Sequence, residues 1–303
     1  MRCLIFCYSG TGNTSLAASF LKRHFEEKGI QTDLFIYQEP LKEIPDPSAY
    51  DLIGIGYPIH AFNVPEVFLR FLKKLPALKE SKDYFIFKTS GEPYMWNRSS
   101  SYLIDKALKK KGYHLIMEKH LLMPYNIMFR YPDGVVKQMY EYLYALSDVV
   151  TKRLALGEKD QVKFPFSRRI TSFFFRIEWI APKVNHPLCH SRKKRCINCG
   201  LCISKCPQHA MYKNKKGVIK INNHCSMCMR CTMNCPKDAI FFGFMHAWRV
   251  NKPYNFVKLL KDPSVDDHYI NPQTKDYFRH FRKYFKEQDE ILAKYGIEVK
   301  KDF

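Results

Sequence analysis

Apolar and polar residues alternate along the first half of the chain with two periods, one typical of buried strands and one of amphipathic helices. Short apolar runs end in small or turn-forming residues, which predicts strands. Five runs fit this pattern: "CLIFCYSG", "DLFIY", "DLIGIGYP", "YFIFKTSG" and "HLIMEKHL", at 3–10, 33–37, 51–58, 84–91 and 114–121. We therefore expect five strands before residue 122.

Segments with helical periodicity separate or follow these runs. In "SLAASFLKRHFEEKG" the apolar residues return every three or four positions, and Gly29 ends the pattern. Further helices are predicted over 65–75, 101–112 and 135–157. Buried strands that alternate with helices predict an α/β fold, a doubly wound five-stranded parallel sheet covered on both faces.

The remaining chain divides by composition. A chain of 303 residues exceeds the usual size of one domain. We predict a first domain at 1–157, a basic aromatic connector at 158–190, a cysteine-rich domain at 191–243 and a C-terminal extension at 244–303. A helix predicted within 273–296 would pack back on the body.

The sequence favours a cytoplasmic protein with reduced thiols. Its start, "MRCLIFCYSG", lacks the pattern of a secretory signal. The apolar run from Phe173 is interrupted by Arg176 and Glu178, whereas a bilayer span needs about 20 apolar residues. In a reducing compartment, clustered cysteines indicate metal binding rather than disulfides.

Positive charge is concentrated in one fifth of the chain. The net charge is +21, and residues 161–220 contain fourteen Lys or Arg against one acid, Glu178. Such a region favours an acidic protein partner, a nucleic acid or an anionic membrane surface, although it could also offset a negative cofactor.

The stretch "SGTGNT", Ser9 to Thr14, lies where the first strand passes into a helix. Small residues there let backbone N–H groups surround an anion at the helix N-terminus. No Lys follows, which excludes a nucleotide-triphosphate loop, and Ser15 stands where a dinucleotide fingerprint needs Gly or Ala. The loop suits one terminal phosphate monoester; an ordinary turn of small residues remains the alternative.

Two later loops follow the third and fourth predicted strands, "GYPIHAFNVP" and "KTSGEPYMWN". Ligands of open parallel sheets bind beyond the carboxyl ends of the strands. Aromatic side chains of these loops could stack on a flat ring, or could instead fill the core: Tyr57, Phe62, Tyr94 and Trp96.

The three loops resemble the FMN-binding loops of flavodoxins over roughly residues 1–155. This resemblance implies the sheet order 2-1-3-4-5 and an FMN site. The residues it implies are Ser9, Thr11, Gly12, Asn13, Thr14, Tyr57, Pro58, His60, Ala61, Phe62, Asn63, Thr89, Ser90, Gly91 and Trp96. Many flavodoxins are acidic and this chain is basic, so their partners are not implied here.

Two cysteine runs, "CINCGLCISKCP" and "CSMCMRCTMNCP", repeat one spacing 29 residues apart. The spacing resembles that of bacterial-type ferredoxins, which hold two [4Fe–4S] clusters with the fourth cysteine of each run exchanged. It implies one cluster on Cys196, Cys199, Cys202 and Cys235, and another on Cys225, Cys228, Cys231 and Cys206. Zinc is the alternative, although its structural sites use cysteine pairs.

Three cysteines stand outside these runs. Cys3 and Cys7 lie in the first predicted strand, where small thiols pack well. Cys189 precedes the first run by seven residues and remains a candidate redox thiol or extra ligand.

Up to about residue 243 the chain resembles flavodoxin–ferredoxin fusion proteins of strict anaerobes, which implies an electron-transfer protein and no more. Our first hypothesis is a relay between the clusters, FMN and a redox partner, and the basic charge of the chain favours an acidic docking surface on that partner. A reductase that acts on a small organic substrate is the alternative. A nucleic-acid-associated protein is a third, which no recognition motif supports. A flavin pocket walled by the connector would favour a substrate, and an open basic edge would favour a protein partner.

Overall fold

The computed structural model describes residues 1–299, so the last four residues of the predicted C-terminal extension, 300–303, lie outside it. Five parallel strands form the main sheet in the order β2-β1-β3-β4-β5. The strands are β1 Arg2–Cys7, β2 Gln31–Ile36, β3 Leu52–Pro58, β4 Lys82–Ser90 and β5 Tyr113–Leu122. This confirms the predicted fold and order.

The sheet is buried on both faces because alternate residues of each strand point to opposite sides. Cys3, Ile5 and Cys7 of β1 face one core, and Leu4 and Phe6 face the other. The first core is covered by α1 Asn13–Glu27 and α4 Asp133–Ala155, the second by α2 Glu66–Leu72 and α3 Tyr102–Leu108.

The connector is mostly short helical turns that lie against the second core. It contains α5 Phe166–Phe174, a 3₁₀ stretch over Phe175–Ile180 and α6 Ala181–Asn185. Val162, Phe164 and Trp179 pack on the second core, whereas Asn185 and Cys189 at the end of the connector contact the cysteine-rich region.

The cysteine-rich region forms a small domain around a second sheet of order β7-β8-β6-β9. Its strands are β6 His190–Ser191, β7 Met211–Lys213, β8 Ile219–Ile221 and β9 Ile240–Phe241, and its helices are α7 Leu201–Ser204 and α8 Arg230–Met233. Eight buried residues form its core, a small number for an independent domain.

The C-terminal extension packs back on the first domain. It contains α9 Phe256–Lys261, a 3₁₀ turn Tyr277–Phe281 and α10 Arg282–Tyr295. Apolar residues of the extension, Val250, Tyr254, Leu259, Ile270, Phe278, Phe281, Phe285 and Leu292, complete the core beneath α4. Within residues 1–299 no helix is both long and apolar enough to cross a membrane.

Candidate functional site

The turn after β1 presents backbone N–H groups at the start of α1. Gly12 precedes α1 with φ of +117°, a backbone conformation that glycine adopts without strain. No side chain of the described residues caps this end of α1, and the first turn carries no acid. Its free N–H groups and the helix dipole therefore fit a phosphate group.

Side chains of this turn connect it to neighbouring loops. Thr14 Oγ1 lies 2.7 Å from Thr89 Oγ1, at the carboxyl end of β4. Asn13 Nδ2 donates to the Pro124 carbonyl at 2.9 Å. The first and third predicted loops thus meet at the carboxyl edge of the sheet, as the fold requires.

The loop after β3 makes a two-residue turn at this edge. His60 and Asn63 exchange both backbone hydrogen bonds, at 2.9 and 2.8 Å, and Ala61 and Phe62 between them have φ of 35° and 65°. Burial lowers the pKa of His60 to about 4, so its imidazole is neutral at pH 7.

A cavity of about 750 Å³ lies between these loops, within the range of about 300–1,000 Å³ of pockets that take an organic cofactor. Apolar side chains and a few polar groups line it. The lining includes eleven of the predicted residues: Ser9, Thr11, Asn13, Thr14, Pro58, His60, Ala61, Phe62, Thr89, Ser90 and Gly91.

Four other predicted residues do not line the cavity. Gly12 is one of them and contributes only the backbone turn that precedes α1. Tyr57 is fully buried in the second core and its OH lies 3.0 Å from Ser100 Oγ, because its position in β3 points it away from the loop. Trp96 is half exposed on the outer side of the loop, 6.1 Å from the ring of Phe175.

Asn63 has a structural role that its position in the loop did not reveal. Its Nδ2 donates to the Ser172 carbonyl at 3.0 Å, and Ser172 Oγ donates to Asn63 Oδ1 at 2.8 Å. Both side chains are fully buried. The pair therefore ties α5 of the connector to the loop at the cavity.

The connector forms one wall of the cavity. Glu178, Trp179, Ala181, Pro182 and Lys183 line it. Burial raises the pKa of Glu178 to about 8, which keeps a substantial fraction of this carboxyl protonated at pH 7. The charge and aromatic content of the connector distinguish it in the sequence. They do not by themselves show that it would form a wall of the cavity.

A buried carboxylate, Glu92, was also missed by sequence reasoning. It lines the cavity and is 2% exposed. Tyr131 and Tyr277 donate to its Oε1 at 3.1 and 2.5 Å, and His280 Nε2 lies 2.5 Å from Oε2. These partners come from distant segments, so no local pattern could have identified the cluster.

The structure groups the cysteines of each predicted set. Cys196, Cys199, Cys202 and Cys235 surround one small cavity. The thiols of Cys225, Cys228 and Cys206 lie near that of Cys231, as does Cys202 of the first set, and burial raises the pKa of Cys231 well above the ordinary value. Within residues 1–299 no group of three or more His, Cys, Asp or Glu side chains is arranged to hold a metal ion.

Backbone N–H groups point at sulfur in both sets. Ala210 N donates to Cys206 Sγ at 3.3 Å, and Ala239 N donates to Cys235 Sγ at 3.1 Å. The two bonds occupy equivalent places 29 residues apart, as the repeat predicts. Such bonds favour the charged thiolate form of the sulfur.

Cys189 lies apart from this repeat pattern. It is buried in the small core, and its Sγ donates to the Asn185 carbonyl at 3.3 Å while accepting from Asn185 Nδ2 at 3.4 Å. Cys3 and Cys7 are buried in the first core, as expected for packing thiols.

The second cysteine loop packs directly on the turn after β1. Tyr8 OH lies 2.6 Å from Ser226 Oγ, and Asn126 Nδ2 donates to the Cys228 carbonyl at 3.2 Å. Arg230 Nη2 donates to the Ser9 carbonyl at 2.9 Å, and its Nε donates to the Gly10 carbonyl.

The same cysteine loop also reaches the cavity. Asn223, His224, Cys225, Ser226 and Met227 form part of the lining. One loop therefore touches both the predicted FMN site and the predicted ligands of a cluster.

Comparison with protein families supports the reading of the cysteine repeat. Residues 195–240 match the model of the 4Fe-4S dicluster domain. They form an iron–sulfur domain. With the sheet order 2-1-3-4-5, this match supports a flavodoxin–ferredoxin fusion. No curated protein matches the chain.

Solved structures similar to the first half include flavodoxins. A flavodoxin from the Archaea is 13% identical, with 51% of this chain and 99% of that chain covered and a TM-score of 0.36. Oxidised flavodoxin 1 from Bacillus cereus is 16% identical, covering 50% and 98%, with a TM-score of 0.35. Two-electron reduced flavodoxin from Megasphaera elsdenii is 18% identical, covering 40% and 85%, with a TM-score of 0.34.

Proposed function

We propose that the chain transfers electrons between two [4Fe–4S] clusters and FMN within one protomer and passes them to a redox partner. The observation that carries the proposal is the second cysteine loop, which contacts the turn after β1 and lines the cavity. A loop shared by the cavity and the second cysteine set supports transfer between FMN and a cluster within one chain.

The cysteine grouping supports crosswise ligation of two clusters. Cys196, Cys199, Cys202 and Cys235 would hold one cluster, and Cys206, Cys225, Cys228 and Cys231 the other. The second set adjoins the cavity. The first includes Cys199, which is exposed and close in sequence to the exposed cations Lys193, Lys194 and Arg195. A protein partner with an acidic surface fits this outer end.

The residues around the cavity fit FMN. N–H groups of α1 and the hydroxyls of Thr11 and Thr14 would bind the phosphate, while Phe62 and Tyr94 would lie beside the ring system. When bound, FMN exchanges one or two electrons and each cluster exchanges one. Together they would convert between two-electron and one-electron transfer. A cytoplasmic location and an anaerobic source remain predictions from the sequence.

Anaerobic reconstitution tests the assignment. We expect about eight irons per chain and one FMN, from two four-iron clusters and one flavin site. Cys225→Ser should lower the iron content and alter the electron paramagnetic resonance spectrum of the reduced protein. Cys189→Ala, which removes a buried thiol outside both sets, should leave both unchanged. Zinc in place of iron, or protein that retains no flavin, would overturn the proposal.

Internal transfer has its own signature. After rapid reduction with limiting reductant, electrons should redistribute between cluster and flavin absorbance at a rate independent of protein concentration. A rate that rises in proportion to concentration would show transfer between molecules and contradict a relay within one protomer.

A reductase that acts on a small substrate is the second candidate, because connector residues wall the cavity. Glu178, with its raised pKa, and Lys183 could hold a polar substrate there. Reduced protein should then turn over small organic acceptors without an added partner. Sustained turnover would favour the reductase, and its absence with transfer to an acidic carrier would favour the relay.

A further inference from the structure

The connector carries a row of exposed apolar side chains on its outer side. Phe166 is 75% exposed and Ile177 is 71% exposed, unusually high for side chains of this size. The complete row is Phe166, Ile170, Phe173, Phe174, Ile177, Ile180, Val184 and Leu188. We call these eight residues the connector face.

The spacing of the row follows the local helix type. Residues 166, 170, 173 and 174 have α-helical spacing, and they lie in α5. Residues 174, 177 and 180 are three apart where the backbone is 3₁₀, in which positions i and i+3 share a side. Backbone and pattern agree over residues 166–180, so the exposed row is not a scatter of single apolar residues.

The inner side of the same segment is occupied. Ser172 is held by Asn63, Trp179 packs on the second core, and Glu178 lines the cavity. The inner side of the connector therefore already makes the contacts that hold it in place. The side chains of the connector face are not needed for these contacts. Trp96 and Met95 extend the exposed apolar surface beside Phe175.

The charges beside the row have one sign. Lys163 and Arg169 are exposed on this segment, and Lys183 is exposed while also reaching the cavity. Between residues 161 and 188 the one acid, Glu178, lines the cavity. A second copy of the chain would bring cations against cations, whereas an anionic surface would neutralise them.

We propose that the connector face docks on an anionic lipid bilayer, with its apolar side chains at the boundary between headgroups and acyl chains. An amphipathic segment with exposed Phe and Ile and flanking Lys and Arg has the composition that binds in this way. Seven of the eight side chains are at least half exposed, and Ile170 is 37% exposed. Such a row suits a soft interface better than the fitted pocket of a protein partner. The surface would hold this chain against a membrane without any span.

Vesicle sedimentation tests the proposal with the full-length protein loaded anaerobically with its cofactors. Vesicles of phosphatidylcholine with phosphatidylglycerol should sediment the protein, and vesicles of phosphatidylcholine alone should bind it at least about tenfold more weakly. The double variant Phe173→Ser/Ile177→Ser should weaken binding to the anionic vesicles by about tenfold or more.

A matched double variant controls for the loss of exposed apolar surface. Leu156→Ser/Val257→Ser changes two side chains of similar exposure, 66% and 65%, outside the connector face. It should bind as the unchanged protein does. Absorbance of the cofactors and circular dichroism should show all three proteins folded, because every altered side chain is exposed.

Three results would overturn the proposal. These are no binding to anionic vesicles, equal loss in both double variants, or binding insensitive to lipid charge and to an increase of salt from about 0.1 M to 0.5 M. Capture of an acidic redox protein by the connector face, without vesicle binding, would assign the face to a protein instead.

Discussion

Gly10 lies where the second cysteine loop packs on the turn after β1. A Cβ atom added there would lie 2.8 Å from Cys228 Cβ and 3.1 Å from the Cys228 carbonyl oxygen. Atoms cannot approach so closely without a backbone shift. The absence of a side chain at this one position lets the cysteine loop lie on the turn after β1.

Gly10→Ala should therefore separate the two loops. We expect a loss of about 1–3 kcal/mol in the free energy of unfolding, as for other overpacked sites. Transfer between cluster and flavin absorbance should also slow. Gly157→Ala, at a positive φ with open space around it, controls for backbone strain alone. Unchanged internal transfer in Gly10→Ala would contradict the contact.

His120 links stability to pH at the edge of the sheet. Its Nε2 lies 2.7 Å from Ser90 Oγ, and burial, with smaller contributions from nearby cations, lowers its pKa to about 3. An unfolded chain binds a proton at His120 below about pH 6.5, whereas the folded protein does not. Its contribution to stability is therefore complete above that pH and declines as the pH falls toward 3.

We expect His120→Gln to flatten this dependence between pH 6.5 and 5. The free energy of unfolding of the unchanged protein should fall more steeply, by up to about 1.4 kcal/mol per pH unit for one proton. Urea unfolding at several pH values, followed by circular dichroism, measures both slopes. Parallel slopes in the two proteins would show that His120 titrates similarly in both states.

At the scale of elements, contacts between segments decide what the connector does. The reciprocal hydrogen bonds of Asn63 and Ser172, one of them to the Ser172 carbonyl, join α5 to the loop after β3. Buried amide and hydroxyl groups lose both partners if this contact breaks.

Asn63→Ala should loosen the connector over the cavity. We expect a loss of about 2 kcal/mol in stability and faster dissociation of FMN, because a buried carbonyl and hydroxyl lose their partner. Flavin fluorescence during dilution measures the release. Thr171→Ala, which removes a bond within α5 alone, should retain flavin normally; equal release from both variants would argue against the tether.

The sheet could be predicted from the sequence because its strands are short apolar runs between amphipathic helices. Each predicted strand overlaps its observed counterpart. The sequence could not show which residues of a loop face the cavity. Side chains alternate along β3, so Tyr57 points into the core whereas the next residue, Pro58, lines the cavity. Glu92 and the connector wall depend on contacts between distant segments, such as Tyr277 to Glu92 and Ser172 to Asn63, which are 185 and 109 residues apart; local periodicity does not record such contacts.

At the scale of the whole molecule, the iron–sulfur domain is inserted between two parts of one larger core. Residues before it form the sheet, and α9 and α10 after it return to α4. The inserted domain has strands of two or three residues and a core of eight buried residues. Clusters would therefore supply much of its stability.

Removal of the clusters should unfold the inserted domain alone. By hydrogen exchange, amides of β7 and β8 should exchange at least about tenfold faster in the iron-free protein, while those of α10 keep their rate. Parallel mass spectrometry of loaded and iron-free protein measures both regions. Global loss of protection, or none, would show that the two cores are not separable in this way.

The contacts of Arg230 imply an order in which the proposed cofactors are incorporated. Its side chain donates to the Ser9 and Gly10 carbonyls, in the turn that would hold riboflavin phosphate under the proposed function. Because Arg230 lies between Cys228 and Cys231 in the sequence, we expect it to take this position only after the proposed cluster has formed. We therefore expect chains made during iron starvation to contain less flavin as well. This would limit the number of molecules that hold flavin without clusters and pass electrons to oxygen. Flavin content per chain from iron-limited cells measures this, and a full complement there would refute it.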